Sequence, residues 1–109
     1  MKHHNNDIGG KVIKSNAVYT LVDNTNLKNL ILSQTILHVN QNTNGHYHEG
    51  QEEVYFFVYG KGRMIVGENE FEVSAGDIVL IPKLGSQRIV LEGQDYFICK
   101  ESDILAIIE

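Results

Sequence analysis

Glycine punctuates this chain. Its ten glycines stand at Gly9-Gly10, Gly45, Gly50, Gly60, Gly62, Gly67, Gly76, Gly85 and Gly93, and the stretches between them are short and rich in Val, Ile, Tyr and Phe. A chain broken so often leaves little room for long helices, whereas short strands and tight turns fit the spacing. The sequence predicts strands near Lys11–Ser15, Val18–Val22, Leu30–Val39, Glu53–Tyr59, Arg63–Val66, Glu70–Val73, Ile78–Ile81, Gln87–Leu91 and Tyr96–Lys100. Hairpin turns are expected at Glu68-Asn69 and at Glu92-Gly93-Gln94. Several short strands at this interval make an all-β sandwich or barrel. The end, Asp103–Ile108, reads either as a short helix capped by Asp103 or as a last strand.

With 109 residues, 1–109 form a single domain. One cysteine, Cys99, excludes an internal disulfide framework, so a hydrophobic core must hold the chain, with a metal or a second subunit as the available reinforcements. The net charge of −5 gives no broad basic field, and nucleic acid is not an expected partner. The longest uninterrupted apolar run, Val54 to Tyr59, is far short of the roughly 20 residues of a membrane span. Met1–Asp7 shows neither an apolar stretch nor a small-residue cleavage site, so no secretory signal is read and a cytoplasmic location is expected.

The strand Glu53–Tyr59 is apolar on both faces. Tyr55, Phe57 and Tyr59 alternate with Val54, Phe56 and Val58. A strand with one wet face alternates apolar with polar, so this one needs cover on its second side. Another sheet, the termini or another copy of the chain can supply it, and a homodimer is the expectation.

Chemistry concentrates at His46-Tyr47-His48-Glu49-Gly50-Gln51-Glu52-Glu53. Residues two apart on an extended chain point the same way, so two imidazoles at 46 and 48 can reach one point. The next strand opens with Glu52-Glu53, and one of these carboxylates can return to that point. Two imidazoles and one carboxylate make the facial set of non-haem iron sites, and they also suit zinc, manganese or nickel. A divalent metal ion is therefore the expected cofactor, and a small molecule the expected ligand.

The stretch His46-Tyr47-His48, four residues, Glu53, six residues, Gly60 resembles the first motif of the cupin superfamily. Gly76-Asp77-Ile78-Val79-Leu80-Ile81-Pro82 resembles the start of the second. The resemblance covers about residues 30–97 and implies a double-stranded β-helix, a small jelly-roll barrel with a metal site in its mouth. It implies His46, His48 and Glu53 as metal ligands, with Glu53 rather than Glu52 matching the motif. By alternation Tyr55, Phe57 and Tyr59 then share the face of Glu53 and line the pocket. The sequence departs from the pattern twice. Asn40 stands where the family has a glycine, and Gln87 where it has a further histidine. Gln87 can offer a carbonyl oxygen, a weaker ligand than imidazole.

Among the other residues, Arg63 is a candidate for holding an anionic substrate group, and Arg88 a second. Phe57 and Gln87 are candidates for contact with substrate. Tyr55, Tyr59 and Glu49 are candidates for moving a proton. His38 and Cys99 read as structural. The motifs look most like those of small cupins grouped with sugar-phosphate isomerases, which implies an isomerase or epimerase using a metal as Lewis acid. An iron-dependent dioxygenase and a non-catalytic small-molecule binding module are the alternatives, because this fold carries many chemistries.

Overall fold

The computed structural model describes residues 1–43, 46–47, 52–82, 88–95 and 97–102, the last group and residues 46, 47 and 88 mainly through their backbone. Ten strands are present among the described residues: β1 Lys11–Ser15, β2 Tyr19–Asn24, β3 Leu32–Leu37, β4 His46–Tyr47, β5 Glu53–Tyr59, β6 Lys61–Val66, β7 Asn69–Ser74, β8 Ile78–Ile81, β9 Arg88–Gly93 and β10 Phe97–Ser102. No helix occurs among the described residues, and the segment Asp103–Ile108 lies outside them. The strands form two antiparallel sheets, one ordered β1-β2-β3-β10-β5-β8 and the other β4-β9-β6-β7. This is the double-stranded β-helix that the motifs imply.

The turns sit slightly off their expected places. Val66 pairs with Asn69, so the β6–β7 hairpin turns on Gly67-Glu68 rather than Glu68-Asn69. Gly67 takes φ +60, which the first central residue of so tight a hairpin needs and which glycine adopts without strain. Strand β9 runs on through Gly93, which moves the next turn to Gln94-Asp95.

The core fills the space between the sheets. Leu37, Tyr55, Phe57 and Ile81 enter it from the six-stranded sheet, and Met64, Val73, Ile89 and Leu91 from the four-stranded one. All eight are buried. The rings of Tyr55 and Phe57 meet at a tilt of 55°, with centroids 6.2 Å apart. Burial of this kind is the main favourable term in a chain without disulfides.

The second apolar face of β5 looks away from this core. The chain's own N-terminal residues lie on this outer side of the sheet, against β2 and β3. Ile8 is 1% exposed yet stands outside the main core cluster. The Gln34 amide donates to the carbonyl of Asn5 at 2.9 Å, and the Asn24 amide to the carbonyl of Ile8 at 2.6 Å. Of the three kinds of cover that the sequence leaves open, the terminus is the one that reaches this side of the sheet.

Candidate functional site

Four strand ends meet at one end of the barrel. Tyr47, the last residue of β4, pairs with Arg88, the first of β9. Glu53, the first residue of β5, pairs with Ile81, the last of β8. The chain therefore crosses between the sheets twice at this end, from Tyr47 to Glu53 and from Ile81 to Arg88. His48, Glu49 and Gln87 belong to those two crossings and lie outside the described residues. Five residues separate Tyr47 from Glu53, so the histidine motif and Glu53 are tied to the same mouth by chain length alone.

Position 46 on β4 stands opposite Ile89, whose side chain is fully buried in the core. Glu53 is 7% exposed, and its neighbour Glu52 is exposed. Tyr55 and Phe57 follow Glu53 on the inward face, which makes Glu53 the rim of an otherwise apolar column. A carboxylate in such surroundings interacts more strongly with a cation than one in water does. Among the described residues, no group of three His, Cys, Asp or Glu side chains is placed to hold a metal. His48, a member of the set implied by the motif, lies outside the described residues.

Tyr59 departs from its expected place. Ile98 pairs with Tyr59 while Cys99 pairs with Phe57, so β5 has one extra residue here. The bulge reverses the alternation. Tyr59 consequently shares a row with Ile98 and Ile36 on the outer face and is 54% exposed. It does not line the barrel. Phe57 keeps its inward place, but as a fully buried core residue.

Arg63 also lies away from the mouth. Its neighbour Met64 points into the core, so Arg63 projects from the outer face of the four-stranded sheet. There Nε donates to Glu92 at 2.9 Å, and Nη1 approaches Glu70 at 2.5 Å. The hydrogen bond to Glu92, helped by the charges of Glu70 and Glu92, raises the guanidinium pKa above its ordinary value. A guanidinium committed to two carboxylates is not available to an anionic substrate. The position of Arg88 is fixed by its pairing with Tyr47, beside the mouth.

His38 is held at the other end by local bonds, with Nδ1 2.9 Å from the Ala17 carbonyl and Nε2 3.5 Å from the Thr20 hydroxyl. Asn40 takes φ +61, the left-handed conformation. The substitution for the family glycine thus keeps the backbone shape, because Asn tolerates that region better than most residues. Beyond Asn40 the chain passes to the four-stranded sheet and runs beside β9, with the Thr43 amide donating to the Leu91 carbonyl at 2.8 Å. This path delivers the chain to β4 and the histidine motif. Three grooves lined by described residues, of about 350, 440 and 470 Å³, lie elsewhere on the surface.

The cupin domain family matches residues 34–97 of this chain. That stretch is more than half the sequence, and the chain belongs to the cupin family. Solved structures agree on the fold. A cupin superfamily protein from Desulfitobacterium hafniense superposes with a TM-score of 0.69 at 8% identity, covering 85% of this chain and 83% of that one. Bacillus subtilis oxalate decarboxylase, described with Mn(II) centres, gives 0.70 at 21% identity over 88% of this chain and 29% of the other. Salicylate 1,2-dioxygenase from Pseudoaminobacter salicylatoxidans gives 0.70 at 12% identity, covering 82% and 25%. At these identities the likeness is one of fold. Curated sequence relatives are of a different class. The chain is 42% identical over 62 residues to the co-chaperonin GroES of Bacillus mycoides, covering 55% of this chain and 66% of that protein. It is 47% identical over 38 residues to GroES of Chlamydia felis, covering 35% and 37%. The chain thus spans about two thirds of one relative's length and little more than a third of the other's.

The donor types that the motif implies fit a divalent ion. His46 and His48 offer imidazole nitrogen, Glu53 a carboxylate oxygen and Gln87 a carbonyl oxygen, a set suited to iron, manganese, zinc or nickel.

Proposed function

We propose that this chain is a metal-dependent cupin acting on a small polar molecule, and specifically an isomerase or epimerase of a sugar or sugar phosphate. The observation that carries the reading is the burial of Glu53 at the mouth, where it opens β5 opposite Ile81 at the end of β8. His46, His48 and Glu53 would hold the ion, with Gln87 as a weak fourth donor. A bound divalent ion supplies a Lewis acid beside adjacent carbonyl and hydroxyl oxygens of the substrate. The apolar column of Tyr55, Phe57 and Ile81 keeps water from the floor of the site. Tyr55 shares the inward face with Glu53, and Glu49 follows the histidines in sequence, so these two are the groups proposed to move a proton between neighbouring carbons.

Elemental analysis of protein purified without a metal-affinity tag tests the reading, followed by aldose–ketose interconversion assays on the loaded protein. Near-stoichiometric metal with interconversion supports it. A metal-free protein that also fails to take up added Mn²⁺, Fe²⁺, Zn²⁺ or Ni²⁺ overturns it.

A second reading rests on the 42% identity over 62 residues to a co-chaperonin. In it the chain is a non-catalytic binding module whose partner is a chaperonin. Co-sedimentation with a chaperonin, together with absence of bound metal, would favour this reading over the enzyme.

A further inference from the structure

After β10 the sequence runs Asp103-Ile104-Leu105-Ala106-Ile107-Ile108-Glu109, an unbroken apolar stretch between two acids. These residues lie outside the described ones, but β10 fixes where they leave the barrel. Its last residue, Ser102, is paired on both sides, with Leu32 of β3 and with Val54 of β5. The stretch therefore starts between two strand ends, with Leu32 about 5 Å away across the ladder.

A groove of about 350 Å³ opens at that place. Leu32, Leu30, Leu27 and Met1 give it an apolar wall, and Asn24 and Asn26 stand at its side. Asn24 is buried and already satisfied. Its side-chain amide donates to the Ile8 carbonyl at 2.6 Å, and its Oδ1 accepts the Asn26 backbone N–H at 2.9 Å. An apolar neighbour therefore costs Asn24 no hydrogen bond. Leu27 is 54% exposed as the groove stands, and covering such surface is favourable.

Strand register decides which residues can fill the groove. Ser102 stands opposite Leu32, so continued antiparallel pairing sets position 104 opposite Leu30. Leu30 and Leu32 both belong to the wall. In an extended chain, positions 104, 106 and 108 share the face of position 102. The sequence has Ile104, Ala106 and Ile108 there. From 103 to 108 an extended chain reaches at most roughly 20 Å, ample for a groove whose wall begins at the neighbouring strand.

We propose that residues 103–108 continue β10 as an extended segment and seat Ile104 and its alternate neighbours in this groove of their own chain. Of the two readings that the sequence leaves for this stretch, helix or last strand, the double pairing of Ser102 favours the strand. Seating holds the end of β10 beside Val54, and so steadies the start of β5, where Glu53 stands.

The test uses the full chain with three single substitutions: Leu27→Asp in the wall, Ile104→Asp in the segment, and Val39→Asp as a control at a residue that is 48% exposed and absent from the wall. Leu27 and Val39 lie outside every strand, so the fold should tolerate both changes. Hydrogen exchange at amides 104–108 is compared with that of a free peptide of the same sequence. The expected result is exchange at least about tenfold slower than in the peptide for the parent chain and for Val39→Asp, and exchange at the peptide's rate for Leu27→Asp and Ile104→Asp. Should either of these two fail to fold, the other decides. Isotope-labelled parent chain mixed with an excess of unlabelled Leu27→Asp should keep its protection, since each segment uses its own groove. Three results overturn the proposal: a parent segment that exchanges as fast as the peptide, protection that survives Leu27→Asp, or protection that the labelled chain loses on mixing.

Discussion

Glu53 and Ile81 are cross-strand partners at the ends of β5 and β8, and both side chains are buried while the adjacent Glu52 is exposed. Two neighbouring carboxylates thus occupy different media. Glu53→Gln is expected to weaken divalent-metal binding by at least about tenfold, the scale on which a lost or loosened ligand acts. Glu52→Gln is expected to change it by less than about twofold, a difference of the kind a distant solvated charge makes. Titration calorimetry with Mn²⁺ on the two variants reads this directly, and equal losses would put the metal elsewhere.

Replacing Gln87 by histidine should tighten metal binding, because imidazole is a stronger donor to these ions than an amide oxygen. The same titration checks it. No gain would mean that position 87 does not face the site.

Arg63→Gln should leave metal binding unchanged, because the guanidinium sits on the outer face with Glu70 and Glu92. Its effect on melting temperature should be small and should vanish in about 1 M salt, where screening acts within roughly 3 Å. The ion pair gives no pH dependence near neutrality. A raised arginine pKa contributes stability that is fully present below the unfolded value and is lost only above it, in strong alkali. Melting curves at two salt concentrations and at pH 6 and 9 test both statements.

Phe57→Ala should destabilise the fold by about 3–5 kcal/mol and Met64→Ala by about 2–5 kcal/mol, since each leaves a cavity in a fully buried core. Urea denaturation provides the numbers. Losses below about 1 kcal/mol would show that the space between the sheets collapses around the gap, or that these side chains are not packed as described.

The sequence by itself determined most of the strands and the two cupin motifs, while the short strand β4, His46–Tyr47, is not among the strands it predicts. Strands Lys11–Ser15, Glu53–Tyr59 and Ile78–Ile81 carry the bounds that composition and glycine spacing assign them, because β-branched and aromatic runs between turn residues are a local property. The inward turn of Glu53 was legible through the motif resemblance alone, because a strand apolar on both faces does not reveal by its period which face turns inward. Tertiary structure decided the rest. A bulge in β5 where it pairs with β10 carries Tyr59 to the outside, and an alternation pattern does not record where the partner strand's register slips. Arg63 is taken up by Glu70 and Glu92, which are seven and twenty-nine residues away and become neighbours only when β6 lies between β7 and β9. The N-terminal residues reach the outer face of the six-stranded sheet at Asn24 of β2 and Gln34 of β3, sixteen and twenty-nine residues beyond Ile8 and Asn5, because chain reversal and not local preference decides which surfaces meet.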